Sequence, residues 1–148
     1  MVVVEVGAGV ASANSIELIA AATDLANRDS KIIVVCLGSG ISQKFGRDLS
    51  MQGADQVVVV DDQIFEQYVS DAWVLELTTL AREFKPSTVL FPHSTFGTDA
   101  APRLAFRLET AVVTGCVAAE KVDDRIYWTR SCYGGSAREV VSLLTEPS

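Results

Sequence analysis

One stretch gathers the side chains with most scope for chemistry, Phe91-Pro92-His93-Ser94-Thr95-Phe96-Gly97-Thr98-Asp99. It holds the single histidine of the chain, three hydroxyls (Ser94, Thr95, Thr98) and a carboxylate, where an apolar run passes into a helix-like pattern. Hydroxyls beside helix N-terminal amides suit an anion. Asp99 complements the helix dipole but opposes a phosphate placed close by. His93 has no obvious nucleophile or metal partner in sequence, so a loop histidine making one hydrogen bond is favoured over a general base.

Two glycine segments follow apolar runs. Gly7-Ala8-Gly9-Val10-Ala11-Ser12 resembles the start of G-x-G-x-x-G, whose glycines let a pyrophosphate approach a helix. Its third glycine position is Ser12, and the second apolar run ends in Cys36-Leu37 rather than an acidic ribose ligand, so a flexible loop is the plainer reading. Gly38-Ser39-Gly40 lacks the Lys-Ser/Thr ending of a P-loop. Asp61-Asp62 suits a turn and a cap better than a metal. Arg103 and Arg107 stand four apart, the spacing of an exposed ion-pair face. Arg130, Tyr133 and Arg138 flank Gly134-Gly135 and are candidates for contact with a partner subunit. The neighbours Tyr127 and Trp128 point to opposite faces of a strand, one toward a core and one available as an interface anchor. No catalytic triad order, H-E-x-x-H or paired acid–base spacing occurs, so no catalytic residue and no metal ligand is assigned.

These residues need a frame. Nearly continuous Val/Ile/Leu runs at 2–6, 32–37, 57–60 and 88–91 read as strands buried on both faces of a parallel sheet. Helical spacing fills the gaps: 12–27 with Ser12 or Asn14 as cap, 41–52 closed by Gly53, 68–85 closed by Pro86, and 97–108 with Thr98 as cap and Pro102 near the first turn. Repeated βα units predict a three-layer αβα, mostly parallel, doubly wound sheet. After residue 110 the pattern changes. Runs at 111–113, 116–122, 126–131 and 140–144, with Asp123-Asp124 as a turn, predict a C-terminal antiparallel extension.

The chain has 148 residues, 49% of them apolar, and a net charge of -7. That length suits one domain over 1–148 with its own core, and the apolar share excludes a disordered chain. The acidic balance argues against nucleic acid or an anionic membrane as partner. Three scattered cysteines indicate neither a disulfide framework nor a zinc cluster; Cys36 and Cys116 lie in apolar runs and read as inert thiols. Neither a signal peptide nor an apolar run of membrane-spanning length is visible, so a cytoplasmic or mitochondrial-matrix protein is expected.

The segment Thr95-Phe96-Gly97-Thr98-Asp99-Ala100-Ala101-Pro102-Arg103-Leu104-Ala105 resembles the x-F-G-x-D-x-x-P-R-L-A part of the T-x-F-G-x-D-x-x-P-R-L-A stretch of electron transfer flavoprotein α subunits. Gly53-Ala54-Asp55-Gln56-Val57 is similar to that family's G-A-D-x-V, and Ser15-Ile16-Glu17-Leu18 to its S-x-E-L. Ser131-Cys132-Tyr133-Gly134-Gly135-Ser136-Ala137 resembles its P-x-Y-x-G-N-A, with Ser131 for Pro and Ser136 for Asn. The resemblance implies a fold of the adenine-nucleotide α-hydrolase and universal-stress-protein group, sheet order 3-2-1-4-5. Gly7 to Gly9 and His93 to Thr95 would then line one crevice, the candidate cofactor site being Gly7, Gly9, His93, Ser94 and Thr95. It further implies a β-subunit partner in a complex that exchanges electrons with flavin dehydrogenases through FAD; a homodimer without ligand is the other expectation for a partner. The family's Q-x-G-Q-T-G flavin motif is absent from these 148 residues, so no flavin ligand carries over. In the family AMP belongs to the β subunit. The expectation is a scaffolding, interface-forming domain without its own FAD site or catalytic activity; the alternative is a small nucleotide-binding or regulatory module.

Overall fold

Val2, Val3 and Val4 are all fully buried, and the reason lies in their alternation between two layers. In a computed structural model, described over residues 1–7 and 10–143, the chain runs β1 (Val2–Val4), β2 (Val6–Gly7), β3 (Val10–Ala11), α1 (Ala13–Leu25), β4 (Ile33–Gly38), α2 (Gln43–Met51) and β5 (Gln56–Asp61). A 3-10 turn at Gln63–Phe65, α3 (Ser70–Phe84), α4 (Thr95–Arg107), β6 (Cys116–Val122), β7 (Arg125–Cys132), a 3-10 turn at Tyr133–Gly135 and β8 (Ala137–Ser142) complete it.

Strands β1, β4 and β5 form a parallel sheet in that order. Val3, Val35 and Leu37 face one layer with Trp73, Leu77 and Leu80 of α3 and Phe96, Ala100 and Leu104 of α4. Val2, Val4, Val34 and Cys36 face the other with Ile19 of α1 and Phe45 and Leu49 of α2. Continuous valine runs thus serve two cores at once, as a doubly wound sheet requires.

The predicted fourth strand at 88–91 shrinks to one parallel bridge, Val2 with Leu90. Leu90 N donates to Met1 O and Val3 N to Leu90 O, each at 2.9 Å. The next bond of that ladder needs an N–H at residue 92, and Pro92 has none. The order expected for the first four strands, 3-2-1-4, is therefore present, with its last member cut short. The run Ala111-Val112-Val113 is not a strand, and no fifth strand extends this sheet among the described residues.

The helices follow their caps. Ser12 Oγ accepts from Ser15 N at 3.2 Å and opens α1. Helix α4 begins earlier than expected: Ser94, not Thr98, is its cap, with Oγ accepting from Gly97 N at 3.2 Å. Pro102 consequently lies inside the helix rather than near its first turn. It sits on the exposed face, where water can satisfy the Thr98 carbonyl. Lys85 ends α3 with φ 47°, since Pro86 bars the residue before it from the right-handed helical region.

Strands β6, β7 and β8 form a separate antiparallel sheet in that order. Asp123-Asp124 is the predicted turn between its first two strands, and β8 begins three residues before the predicted 140–144 run. Leu144, the end of that run, lies outside the described residues.

Candidate functional site

The glycine segment after β1 does not lead directly into the helix. Val6–Gly7 and Val10–Ala11 pair as a small hairpin, Val6 opposite Ala11 and Gly7 opposite Val10. The hairpin is pinned at its base. Ser12 N donates to Glu5 O at 3.0 Å, and Glu5 N donates to Ser15 Oγ at 2.9 Å, which also shares a 2.8 Å bond with Ser12 Oγ. Ser15 is fully buried, so its hydroxyl is structural, a role that Ser15-Ile16-Glu17-Leu18 did not disclose. A Cβ at Gly7 would meet nothing within 4 Å, so no close approach explains that glycine. Gly9 lies outside the described residues.

His93, Ser94 and Thr95 do come together. With Thr98 and Asp99 they line an open depression of about 680 Å³ at the start of α4. Gly7 is not among its lining residues. The side chains there are already engaged in part. Ser94 Oγ is the helix cap, and Asp99 is held from two sides: Tyr68 Oη donates to Asp99 Oδ2 at 2.6 Å, and Arg103 Nε to Oδ1 at 3.0 Å. The Tyr68 hydroxyl and the Arg103 guanidinium hold the Asp99 carboxyl below the usual carboxylate range. Burial and the Asp99 bond push the Tyr68 phenol up. His93, Thr95 and Thr98 are exposed.

The Asp99 bonds carry a pH dependence whose sign is fixed. An acid with a folded-state pKa below its unfolded value near 3.9 stabilises the fold above that value and loses the contribution as pH falls through the folded one. The stability gap between the wild type and Asp99→Asn therefore narrows on acidification from neutral pH into that window. Urea midpoints of both proteins at pH 7 and below about pH 4 check it; a gap constant with pH overturns the assignment.

Other sequence candidates resolve as structural. Asp61 Oδ1 accepts from Gly40 N at 2.7 Å and Asp62 Oδ1 from Ile64 N at 3.0 Å, a turn and a cap as expected. Arg103 pairs along the helix with Asp99. Cys36 is buried, and burial, with Asp61 adding to it, pushes its thiol up to about 12. Burial also raises the Cys116 thiol. Among the described residues no three His, Cys, Asp or Glu side chains cluster as metal ligands.

The antiparallel sheet differs from every other part. None of its residues from Cys116 to Ser142 is buried, while Tyr133 is 88% exposed, Val140 61% and Val117 57%. Tyr127 and Trp128 do lie on opposite faces, yet both are only half-buried, so neither joins a core. Arg130 is opposite Glu139 in the register, with Nε 3.7 Å from Oε2. Arg138, opposite Ser131, and Tyr133 are exposed.

Comparison with known proteins gives a consistent picture. A family model described as "Electron transfer flavoprotein domain" matches residues 1–148. The electron transfer flavoprotein subunit α of Syntrophomonas wolfei is 33% identical over 117 residues, 79% of this chain and 37% of that one. Its Bacillus subtilis counterpart is 29% identical over 119 residues, 80% and 36% of the two chains. The acryloyl-CoA reductase electron transfer subunit beta of Anaerotignum propionicum is 34% identical over 101 residues, 68% and 27%. The chain spans little more than a third of the length of such curated relatives.

Proposed function

The chain belongs to the electron transfer flavoprotein domain family as an α-subunit-like N-terminal domain, and from that premise we propose that residues 1–148 form one scaffolding unit that docks a β-type subunit. In this reading the flavin is held elsewhere in the complex, and electrons do not pass through residues of this chain. The observation that carries it is the bare antiparallel sheet β6–β7–β8. A three-stranded sheet with half-buried Tyr127 and Trp128 and exposed Tyr133, Val117 and Val140, but no buried residue, is a surface suited to cover by a partner. Tyr133 and Arg138 are its exposed anchors, of the residue types enriched where binding energy concentrates.

The proposal assigns no flavin dinucleotide to the residues around α4. In this reading the polar groups there serve the fold instead: Asp99 is engaged by Tyr68 and Arg103, and the Ser94 hydroxyl is spent on Gly97 N. The described residues contain no helix long and apolar enough to cross a membrane. A cytoplasmic place for the electron-carrying complex is part of the same proposal.

The test has two arms. Purified chain incubated with FAD and desalted stays colourless; a yellow sample with stoichiometric flavin overturns the division of labour. A β-type subunit from the same genome binds the chain in titration calorimetry, and Tyr133→Ser combined with Arg138→Glu weakens it at least about tenfold. Absence of binding, or unchanged affinity in the variant, overturns the interface.

A further inference from the structure

Two oxidisable rings share the aromatic cluster beside α3 and α4. Trp73 and Tyr68 stand edge-on with ring centroids 5.5 Å apart. The other rings of the cluster, Phe65, Phe91 and Phe96, are phenylalanines, which resist the one-electron oxidants that attack indole and phenol. The chain's remaining tyrosines and tryptophan, Tyr127, Trp128 and Tyr133, lie on β7 and the turn after it.

Trp73 and Tyr68 differ in what can receive their protons. The Trp73 indole N–H donates to the Gln67 carbonyl at 3.2 Å, an amide oxygen too weakly basic to take the proton. The Tyr68 hydroxyl donates to Asp99 Oδ2 at 2.6 Å, the length of a charge-assisted O–H···O⁻ bond. Asp99 is ionised at neutral pH, since the Tyr68 hydroxyl and the Arg103 guanidinium hold its carboxyl below the usual range. Exposure differs too. Trp73 is only 8% exposed, whereas 38% of the Asp99 side chain is open to water, which can carry a proton away.

We infer that Trp73 and Tyr68 form a radical relay that carries an oxidising equivalent out of the core, with Asp99 as its proton acceptor. In the first step the Trp73 indole loses one electron to a one-electron oxidant and becomes a radical cation. In the second, one electron passes from Tyr68 to Trp73 while the Tyr68 hydroxyl proton moves to Asp99 Oδ2. The products are neutral Trp73, a Tyr68 phenoxyl radical and a protonated Asp99, so charge and atoms balance. An oxidised phenol is a far stronger acid than any carboxylic acid, so even the lowered Asp99 carboxyl takes its proton. That transfer sets the direction: a phenol that sheds its proton is easier to oxidise than an indole that keeps its own. The oxidising equivalent ends on half-buried Tyr68, within reach of small reductants, instead of on the buried indole. The relay is separate from the electrons of the flavin, and it does not depend on the docking proposed for β6–β7–β8.

Pulse radiolysis in azide solution tests it, with the azidyl radical as the one-electron oxidant. The protein is the Trp128→Phe chain, whose one remaining indole is Trp73. Indole-radical absorbance decays as phenoxyl absorbance grows, at a rate independent of protein concentration. Tyr68→Phe keeps the ring but not the hydroxyl, and slows that decay at least about tenfold. Asp99→Asn keeps Tyr68 but removes the base, and slows it by a similar factor. Tyr68→Phe serves alone if circular dichroism shows that the asparagine variant is unfolded. No indole radical, no matching growth of phenoxyl, or a decay unchanged by either folded variant overturns the relay.

Discussion

Gly97→Ala lowers stability by about 3 kcal/mol or more, and so lowers the melting temperature by roughly 6–12 °C for a chain of this size. Helix propensity alone argues the opposite, since alanine is favoured over glycine in a helix by about 1 kcal/mol. Sterics reverse the sign. A Cβ at Gly97 would overlap the carbonyl oxygen of Pro92 and sit 3.0 Å from its carbonyl carbon and 3.4 Å from Phe91 Cβ. That carbonyl cannot swing aside freely, because it accepts from Ser94 N at 2.9 Å and so holds the turn that presents Ser94 as the cap of α4. Relief requires either loss of that turn or a shift of the helix off the core that Phe96, Ala100 and Leu104 share. Gly46 is the control. It lies in α2 with its nearest neighbours, Val57 and Val59 side chains, 4.0 Å from a built Cβ, an ordinary contact. Gly46→Ala is neutral or stabilising by up to about 1 kcal/mol. Urea denaturation of the two variants checks the pair, and equal effects overturn the account.

Gly97 also shows what was legible in the sequence. The F-G-x-D resemblance marks the residue but not its cause, because the clash is with Pro92, a contact made only once the turn closes. The sheet is easier to read. The continuous apolar runs at 2–4, 33–37 and 57–60 announce the parallel strands, and the shortening at 88–91 follows from Pro92 having no N–H for the next rung. The cap of α4 falls four residues before the expected one because Ser94 and Thr98 are both good caps; the choice goes to Ser94, which the turn over Pro92 aims at Gly97 N. Ala111-Val112-Val113 has the composition of a strand but pairs with no strand among the described residues, and strand propensity without a partner has little force.

The depression at α4 is legible as a place and only partly as a chemistry. The strand order implies one crevice shared by Gly7 to Gly9 and His93 to Thr95; the depression is lined by His93, Ser94 and Thr95 but not by Gly7, because the hairpin β2–β3 intervenes between β1 and α1. The Tyr68–Asp99 bond spans 31 positions and has no local signal. It changes how Asp99 is understood: a carboxylate that looks available at a helix N-terminus is instead a strut between α4 and the segment leading into α3.

That strut rests on an aromatic cluster, and Trp73 is its centre. Trp73 packs edge-on against Phe65 (5.9 Å between ring centroids), Tyr68 (5.5 Å) and Phe96 (5.1 Å), and Tyr68 and Phe96 touch each other at 5.1 Å. Its indole N–H donates to the Gln67 carbonyl at 3.2 Å, and only 8% of the residue is exposed. Trp73→Ala empties a site enclosed by three rings, one on α4, one on the 3-10 turn and one on the segment leading into α3, which the sheet beneath cannot collapse to fill, and costs about 3–5 kcal/mol. Trp73→Phe keeps the edge-on contacts and gives up volume and the indole bond; Gln67 is exposed, so water replaces that donor, and the cost is less than half as large. A second readout separates this from simple loss of stability. With Trp73 gone the Tyr68 ring loses one of its two aromatic supports, and its hydroxyl no longer stays on Asp99. The pH-dependent part of the Asp99→Asn effect then shrinks in the Trp73→Ala background. Urea titrations across pH on the single and double variants measure both. Equal costs for alanine and phenylalanine, or an acid dependence untouched by Trp73→Ala, overturn the coupling of cluster and strut.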